Sequence, residues 1–382
     1  MNLFAIMGVL VYYPAVSFAS ALPLVLNTWS EDFTGATRTA FDVISQATGR
    51  GGRLDALEQG LNFCELHQCG GSVGFGGHSD ASGEVTLDAM VMDGVTHDVG
   101  GVGGLRRVKR AVSVARGVLE HTNHSLLVGE AATRFAVDFL GFEEESLSTP
   151  ESVEEQAAWV AGGCQPNYYR AFDHCTSSCP PYVLQAPGTR ESGTGQQMGR
   201  WGRVGREEHR PRYSPYVEEG SRQQQQPSNH DTIGMVVVDR EGELACGVTT
   251  NGLGHKVPGR VGDSPVPGAG CYVERGVGGC ACTGDGDVMM RFSPSARAVM
   301  GMEAGMAPQE AAEAVVGSIA RYYPDFRGGI VCADAGGGVG ATASKLPLSF
   351  STQSPETEGV QVYSVTPLGR KKGQAGDVAR VS

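Results

Sequence analysis

The chain's 382 residues, 40% of them apolar, suffice for one large domain or two ordinary ones with a sizeable core. A formal charge of −12 excludes nucleic acid as the main partner, because phosphate would be repelled. The 56 glycines follow no collagen period and predict many tight turns and close backbone approaches.

The opening stretch, "MNLFAIMGVLVYYPAVSFASA", is apolar, uncharged and ends in small residues. It predicts a secretory signal peptide over residues 1–20, cut between residues 19 and 21. Pro14 and the shortness of the run argue against a membrane span, and no later segment is apolar for long enough. No membrane partner is expected. Asn123-His124-Ser125 fits the glycosylation pattern, which also arises by chance.

"LPLVLNTW" (22–29) reads as a buried strand. Residues 33–48 and 52–67 read as helices, the second with Leu54, Leu57, Leu61 and Cys64 on one stripe. "EVTLDAMVMDG" (84–94) predicts a strand ending at an Asp-Gly turn. Residues 106–121 place Val108, Val112, Ala115 and Leu119 on one helical face, and "EAATRFAVDFLGF" and "SVEEQAAWVAGG" predict further helices. From about 186 to 230 the chain is rich in Gly, Pro, Gln and mixed charge, with almost no aliphatic residues. Such a segment cannot bury enough apolar area to offset its ordering entropy, and an exposed, protease-sensitive linker is expected.

After Thr232 the pattern is rich in strands. "TIGMVVVD" and "LACGVTTNG" predict a hairpin, and "DVMMRFS" continues the run. Two helices follow, the second over 308–323 with Ala311, Val315, Ile319 and Tyr322 at helical spacing. "GGIVCADAGGG" and "GVQVYSV" read as closing strands. Continuous apolar strands imply sheets covered on both faces, so stacked sheets flanked by helices are expected; propensity alone leaves a doubly wound sheet open.

Ten Cys suit an oxidising compartment. Cys64 and Cys69, in "CELHQC", are spaced for a small-loop disulfide, and Cys164, Cys175 and Cys179 offer a second bridge with one thiol left over. Zinc-finger spacing is absent, and neither metal nor other cofactor is expected. Among Cys246, Cys271, Cys280, Cys282 and Cys332, buried free thiols are expected.

The junction "HDTIGMVVVD" carries the chemistry. A Thr at the start of a strand is usually structural. Here, however, it follows an exposed linker, has a Gly two residues on, and precedes the polar, Gly-rich run "TTNGLGHKVPGRVGDSPVPGAGCY". A Thr hydroxyl is a weak nucleophile that needs a nearby base. A chain-terminal Thr carries its own base, an α-amino group of pKa about 7.7–8. Cutting the bond between Asp231 and Thr232 would create that base and expose the hydroxyl together.

"HDTIGMVVVD", "TTNG", "GRVGDSPVPGAGCY" and "CTGDGD" closely resemble the glycosylasparaginases (aspartylglucosaminidases), which are N-terminal-nucleophile hydrolases of the Thr-nucleophile asparaginase type. "NTW", "QCGGSVGFGG", "TLDAMVMDG" and "CQPNYY" extend the resemblance over roughly 22–185 and 229–350. It implies an α+β fold, a four-layer αββα sandwich, and a precursor that cleaves itself by N-to-O acyl shift. An α chain over 21–231 and a β chain over 232–382 would result, associating as a dimer of heterodimers. By motif position, Asp231 would end the first chain and Thr232 would be the nucleophile. Thr250 would position it, and Thr283 and Gly284 would form the oxyanion hole. Arg260 and Asp263 would clamp the substrate's α-carboxylate and α-amino groups, with Trp29 a pocket wall and Ser72 its neighbour.

The implied reaction is hydrolysis of the amide between N-acetylglucosamine and the side chain of a free asparagine, in a lysosome or vacuole or after secretion. Asparaginase or β-aspartyl peptidase activity is the alternative within enzymes, and an uncleaved binding protein the alternative outside them. The resemblance favours pairing Cys164 with Cys179 over Cys175. Where animal members carry Cys, this chain has Ala343 and Ser344, and "PQEAAEAVV", where the partner of Cys332 is expected, has none. No disulfide is therefore expected in the second half, leaving its stability to packing.

Overall fold

The computed structural model describes residues 18–47, 49, 51–71, 73–169, 178–183, 232–368 and 378–381. The linker, most of the leader, Ser72, Cys175 and Asp231 lie outside the described residues. In chain order the first part forms β1 (Phe18–Ala19), β2 (Leu24–Asn27), α1 (Thr34–Gln46), α2 (Gly52–His67), β3 (Thr86–Asp93), β4 (Val99–Arg106), α3 (Ala111–His121), β5 (Leu126–Val128), α4 (Gly129–Arg134) and α5 (Pro150–Ala161). The second part forms β6 (Thr232–Val238), β7 (Leu244–Thr250), β8 (Cys271–Glu274), β9 (Gly278–Gly284), α6 (Gly286–Met289), α7 (Pro294–Glu303), α8 (Pro308–Tyr322), β10 (Gly328–Asp334), β11 (Gly338–Ser344), β12 (Leu348–Gln353), β13 (Gln361–Val365) and β14 (Val378–Val381).

The fold is α+β. A nine-stranded sheet runs β14-β13-β12-β2-β6-β7-β3-β4-β5, and a five-stranded sheet runs β1-β11-β10-β9-β8. β6 and β7 touch α2 on one side and β8 and β9 on the other. This explains why their side chains are buried along the whole length, and why both read as unbroken apolar runs rather than alternating ones. α7 and α8 cover the smaller sheet. A cut between residues 19 and 21 would remove the two-residue β1 from the edge of that sheet and leave its other four strands.

Residues 106–121 depart from the sequence reading. The helix starts only at Ala111, and the preceding "VGGVGGLR" is β4. Its glycines hide the strand from propensity, and packing needs them: a Cβ on Gly100 would come within 2.2 Å of the Ala115 carbonyl oxygen on α3. "DVMMRFS" overlaps the short helix α6 rather than a strand. On α8, Ala311, Val315 and Ile319 are buried as the stripe predicts, but Tyr322 is exposed.

Cys64 pairs with Cys69, and Cys164 with Cys179. The second half overturns the expectation of a disulfide-free core. Cys246 of β7 pairs with Cys271 of β8, and Cys280 of β9 pairs with Cys332 of β10. Cys280 and Cys332 are direct register partners on neighbouring strands, a proximity that 52 residues of separation conceal. Cys246–Cys271 joins the two sheets. Among the described residues Cys282 is the free cysteine, fully buried.

Glu65 of α2 is buried at the junction of α2, α3 and β7. Its Oε1 accepts from Thr249 Oγ1 at 2.5 Å and from the Val112 amide at 3.2 Å. Burial pushes its carboxyl up to about 8, against the pull of those two donors. In the unfolded chain the group ionises near pH 4.5; in the folded protein it keeps its proton to about pH 8. The folded state therefore binds more protons across that window, and stability is expected to fall as pH rises through it, by up to a few kcal/mol. Melting temperature measured from pH 5 to 8 checks this. Glu65→Gln should flatten the slope; an unchanged slope would assign it to other groups.

Candidate active site

Three strands line up one row of side chains. Thr232, the first residue of β6, is the register partner of Thr250, the last residue of β7. Thr250 is in turn the partner of Asp88 on β3. Residues directly opposite one another share a sheet face, so all three project to the same side. The two hydroxyls are hydrogen-bonded, Oγ1 to Oγ1, at 2.9 Å, and both threonines are buried.

The end of β2 fastens the start of β6. Thr28 N donates to Gly234 O and Gly234 N donates to Thr28 Oγ1, each at 2.9 Å. Trp29 Nε1 donates to Thr232 O at 2.7 Å. Gly234 is needed by packing: a Cβ there would lie 2.9 Å from Ala281 Cβ on β9. Thr283, buried, and Gly284 (φ +123°) follow at the end of the same strand.

The loop after β7 adds buried charge. Arg260 Nη2 and Nε donate to Asp287 Oδ2 at 2.9 and 3.3 Å. Burial works against the guanidinium's charge, yet Asp287, Asp88 and Asp263 together raise its pKa above the ordinary value. Asp263 is buried, and its Oδ2 has no hydrogen-bond partner among the described residues. Burial pushes its carboxyl up to about 6, with Arg260 opposing. A buried carboxyl with an oxygen to spare, close to a guanidinium, suits a ligand that brings both an ammonium and a carboxylate.

Behind Thr250 stand residues that the sequence reading did not single out. Asp88 is fully buried, and its Oδ1 accepts from the Gly104 amide at 2.7 Å. Burial raises its pKa, and Lys256 is the strongest influence drawing it down. The buried Lys256 ammonium donates to Asn251 O at 2.5 Å and to Thr86 O at 3.3 Å. Gly252 N donates to Thr250 Oγ1 at 2.8 Å. Asp287 was also missed, and the available signal was its place in "CTGDGD" beside Thr283. For Asp88 the signal was an acidic residue in the otherwise apolar "TLDAMVMDG".

The sequence-selected Thr232, Thr250 and Trp29 thus meet directly, and Arg260 and Asp263 share one loop. Asp231 and Ser72 lie outside the described residues. Among the described residues no group of three or more His, Cys, Asp or Glu side chains is arranged to hold a metal ion. A groove of about 1250 Å³ runs past Trp29, Asp32, Lys345 and Ser349; of the selected residues that are described only Trp29 lines it, and the threonine row lies elsewhere.

Residues 23–358 match the family described as asparaginase. The chain is similar to N(4)-(beta-N-acetylglucosaminyl)-L-asparaginase of Mus musculus, with 46% identity over 335 residues, covering 87% of this chain and 88% of the relative. It is 43% identical to the enzyme of the same name from Rattus norvegicus over 347 residues, covering 90% of each. No helix among the described residues is long and apolar enough to cross a membrane. A family match over most of its length, with relatives this close at nearly full coverage, shows that the chain belongs to the asparaginase family.

Proposed function

We propose that the protein hydrolyses the amide between N-acetylglucosamine and the side chain of free asparagine, after cutting itself between Asp231 and Thr232. The names of the mouse and rat relatives support the substrate. The observation that carries the mechanism is the buried Thr232–Thr250 hydroxyl pair at the first residue of β6. In the precursor, Thr232 Oγ1 attacks the Asp231 carbonyl, the peptide becomes an ester, and water opens it. The freed α-amino group of Thr232 is then the base.

In turnover, Thr232 Oγ1 attacks the side-chain carbonyl carbon of the substrate while its proton passes to the α-amino group and on to the departing glycosylamine. Thr283 Oγ1 and the Gly284 amide stabilise the oxyanion; glycine is needed at 284 because φ is +123° and a Cβ would come within 2.5 Å of the Arg327 carbonyl oxygen. Water cleaves the resulting ester and releases aspartate. Arg260 and Asp263 hold the α-carboxylate and α-ammonium, with Trp29 and Ser72 beside them. Glycosylated asparagine within a peptide is refused, because it offers no α-ammonium to the buried Asp263 and no α-carboxylate to Arg260.

This reading includes the four-layer αββα arrangement, with the two sheets stacked between helices, and a dimer of the paired α and β chains. It also includes an acidic compartment of the secretory route, to which the protonated Glu65 is suited. Purified protein should separate on a denaturing gel into two chains, one beginning Thr-Ile-Gly-Met by N-terminal sequencing. It should turn over N-acetylglucosaminyl-asparagine faster than asparagine or β-aspartyl dipeptides. A preference for the dipeptide would move it to the peptidases, and a single active chain would reject the mechanism.

A further inference from the structure

Lys256 is among the largest fully buried side chains, and the reaction above gives it no task. Burying an ammonium is costly unless it is bonded and its charge is answered. Here it donates to the carbonyls of Asn251 and Thr86, and Asp88 is close enough to be drawn down by it. The Asn251 carbonyl belongs to the same peptide group as the Gly252 N–H. In a trans peptide these two bonds point in opposite directions. One end of this peptide meets Lys256, and the other donates to Thr250 Oγ1 at 2.8 Å. Thr250 Oγ1 in turn lies 2.9 Å from Thr232 Oγ1.

The glycine suits this arrangement. Gly252 has φ +90°, and a Cβ there would stand 3.0 Å from Lys256 Nζ and 3.1 Å from Arg260 Nη1. A side chain would thus push on both cations.

The geometry points to Lys256 as a positioning residue that polarises the nucleophile through one peptide group. The relay runs from the ammonium to the Asn251–Gly252 peptide, to the Thr250 hydroxyl and to Thr232 Oγ1, with Asp88 as counter-charge. Hydrogen bonds in such a chain reinforce one another at low dielectric. The cation on the carbonyl oxygen strengthens the N–H as a donor, and the N–H makes the Thr250 hydroxyl a stronger donor. When the proton of Thr232 leaves for the α-amino group, Thr250 turns its own hydrogen toward the developing negative charge. The cation acts on the transition state without touching the substrate.

This inference rests on the proposed N-terminal Thr232 mechanism, which wild-type turnover tests separately; only the variant-to-wild-type ratio bears on the relay. Lys256→Met and Lys256→Gln remove the charge and keep much of the bulk, and Lys256→Arg keeps the charge. The charge-free variants, measured as cleaved protein with N-acetylglucosaminyl-asparagine, are expected to lose about 10- to 100-fold in kcat. This is less than the 10²–10³ for a donor in direct contact with the oxyanion. KM should move less than about threefold. The acid limb of kcat/KM should shift to higher pH, because the Thr232 α-amino group loses a neighbouring positive charge. Lys256→Arg should recover part of the loss.

A folded charge-free variant with kcat within about twofold of wild type overturns the assignment, as does a loss confined to KM or an acid limb that does not move. Should neither charge-free variant fold, Asp88→Asn takes up the test, since it leaves Lys256 on the Asn251 and Thr86 carbonyls and removes only the counter-charge. The acid limb of kcat/KM should then move to lower pH, opposite to the Lys256 variants, with KM within about threefold. A limb that stays in place or moves up overturns the relay.

Discussion

Thr232→Ala is expected to give one uncut chain, lighter than the 40.0 kDa of the full sequence by the removed leader, with no detectable hydrolysis. Two losses coincide in this variant. The precursor lacks the hydroxyl that attacks the Asp231 carbonyl, so the terminal amine never forms. Even if the chain were cut by other means, no oxygen would remain to accept the acyl group. Removing a nucleophile while leaving the rest of a site intact typically costs ~10⁴-fold or more. Thr232→Ser should retain part of both activities, because the hydroxyl persists. It should be slower than wild type in both, because the methyl group that restricts χ1 is gone. Gel analysis over time reads self-cleavage, and aspartate release reads hydrolysis. An alanine variant that still separates into two chains would place the nucleophile elsewhere.

Arg260→Gln is expected to lower kcat/KM by roughly 30- to 5000-fold, the range for removing one partner of a buried, hydrogen-bonded charge pair. The substitution removes the proposed partner of the α-carboxylate and leaves Asp263 and Asp287 without their shared cation. The loss should appear chiefly in KM, since the carboxylate is held alike in ground and transition states. Lysine is a poor replacement, because Nε and Nη2 both reach Asp287 Oδ2, and a single ammonium cannot reproduce that fork. A substrate analogue lacking the α-carboxylate checks the assignment. Wild type should discriminate strongly against it and the variant hardly at all. Equal discrimination by both would assign the carboxylate to another residue.

Much of the fold was legible because burial and periodicity are local signals. The stripe on α2, the buried hairpin of β6 and β7 and the helix α8 all follow from residues a few positions apart. β4 was not legible, since its glycines are chosen by the helix that packs on them and not by strand propensity. Two cysteine pairs were misjudged for a related reason. The partners of Cys332 and Cys246 are selected by strand register and by sheet-to-sheet contact, neither of which sequence spacing encodes. At the site, the Thr at the linker-to-strand junction and the polar glycine run stood out by composition, and the family resemblance supplied roles for their members. Asp88, Lys256 and Asp287 did not stand out, because each looks like an ordinary charged residue until its burial is known.

From the sequence alone came the junction at Thr232, because a run with almost no aliphatic residues gives way there to a run of apolar β-formers. Apolar runs, whose length and spacing are fixed along the chain, also implied stacked sheets flanked by helices, while the α+β class came with the family resemblance. Tertiary structure alone decided which residues stand beside that hydroxyl. Strand register sets Thr250 and Asp88 in one row with it, and burial turns Lys256, Asp263 and Glu65 into groups whose charge the protein must answer. Burial and register are properties of segments meeting across long stretches of chain, and no local pattern of residues carries them.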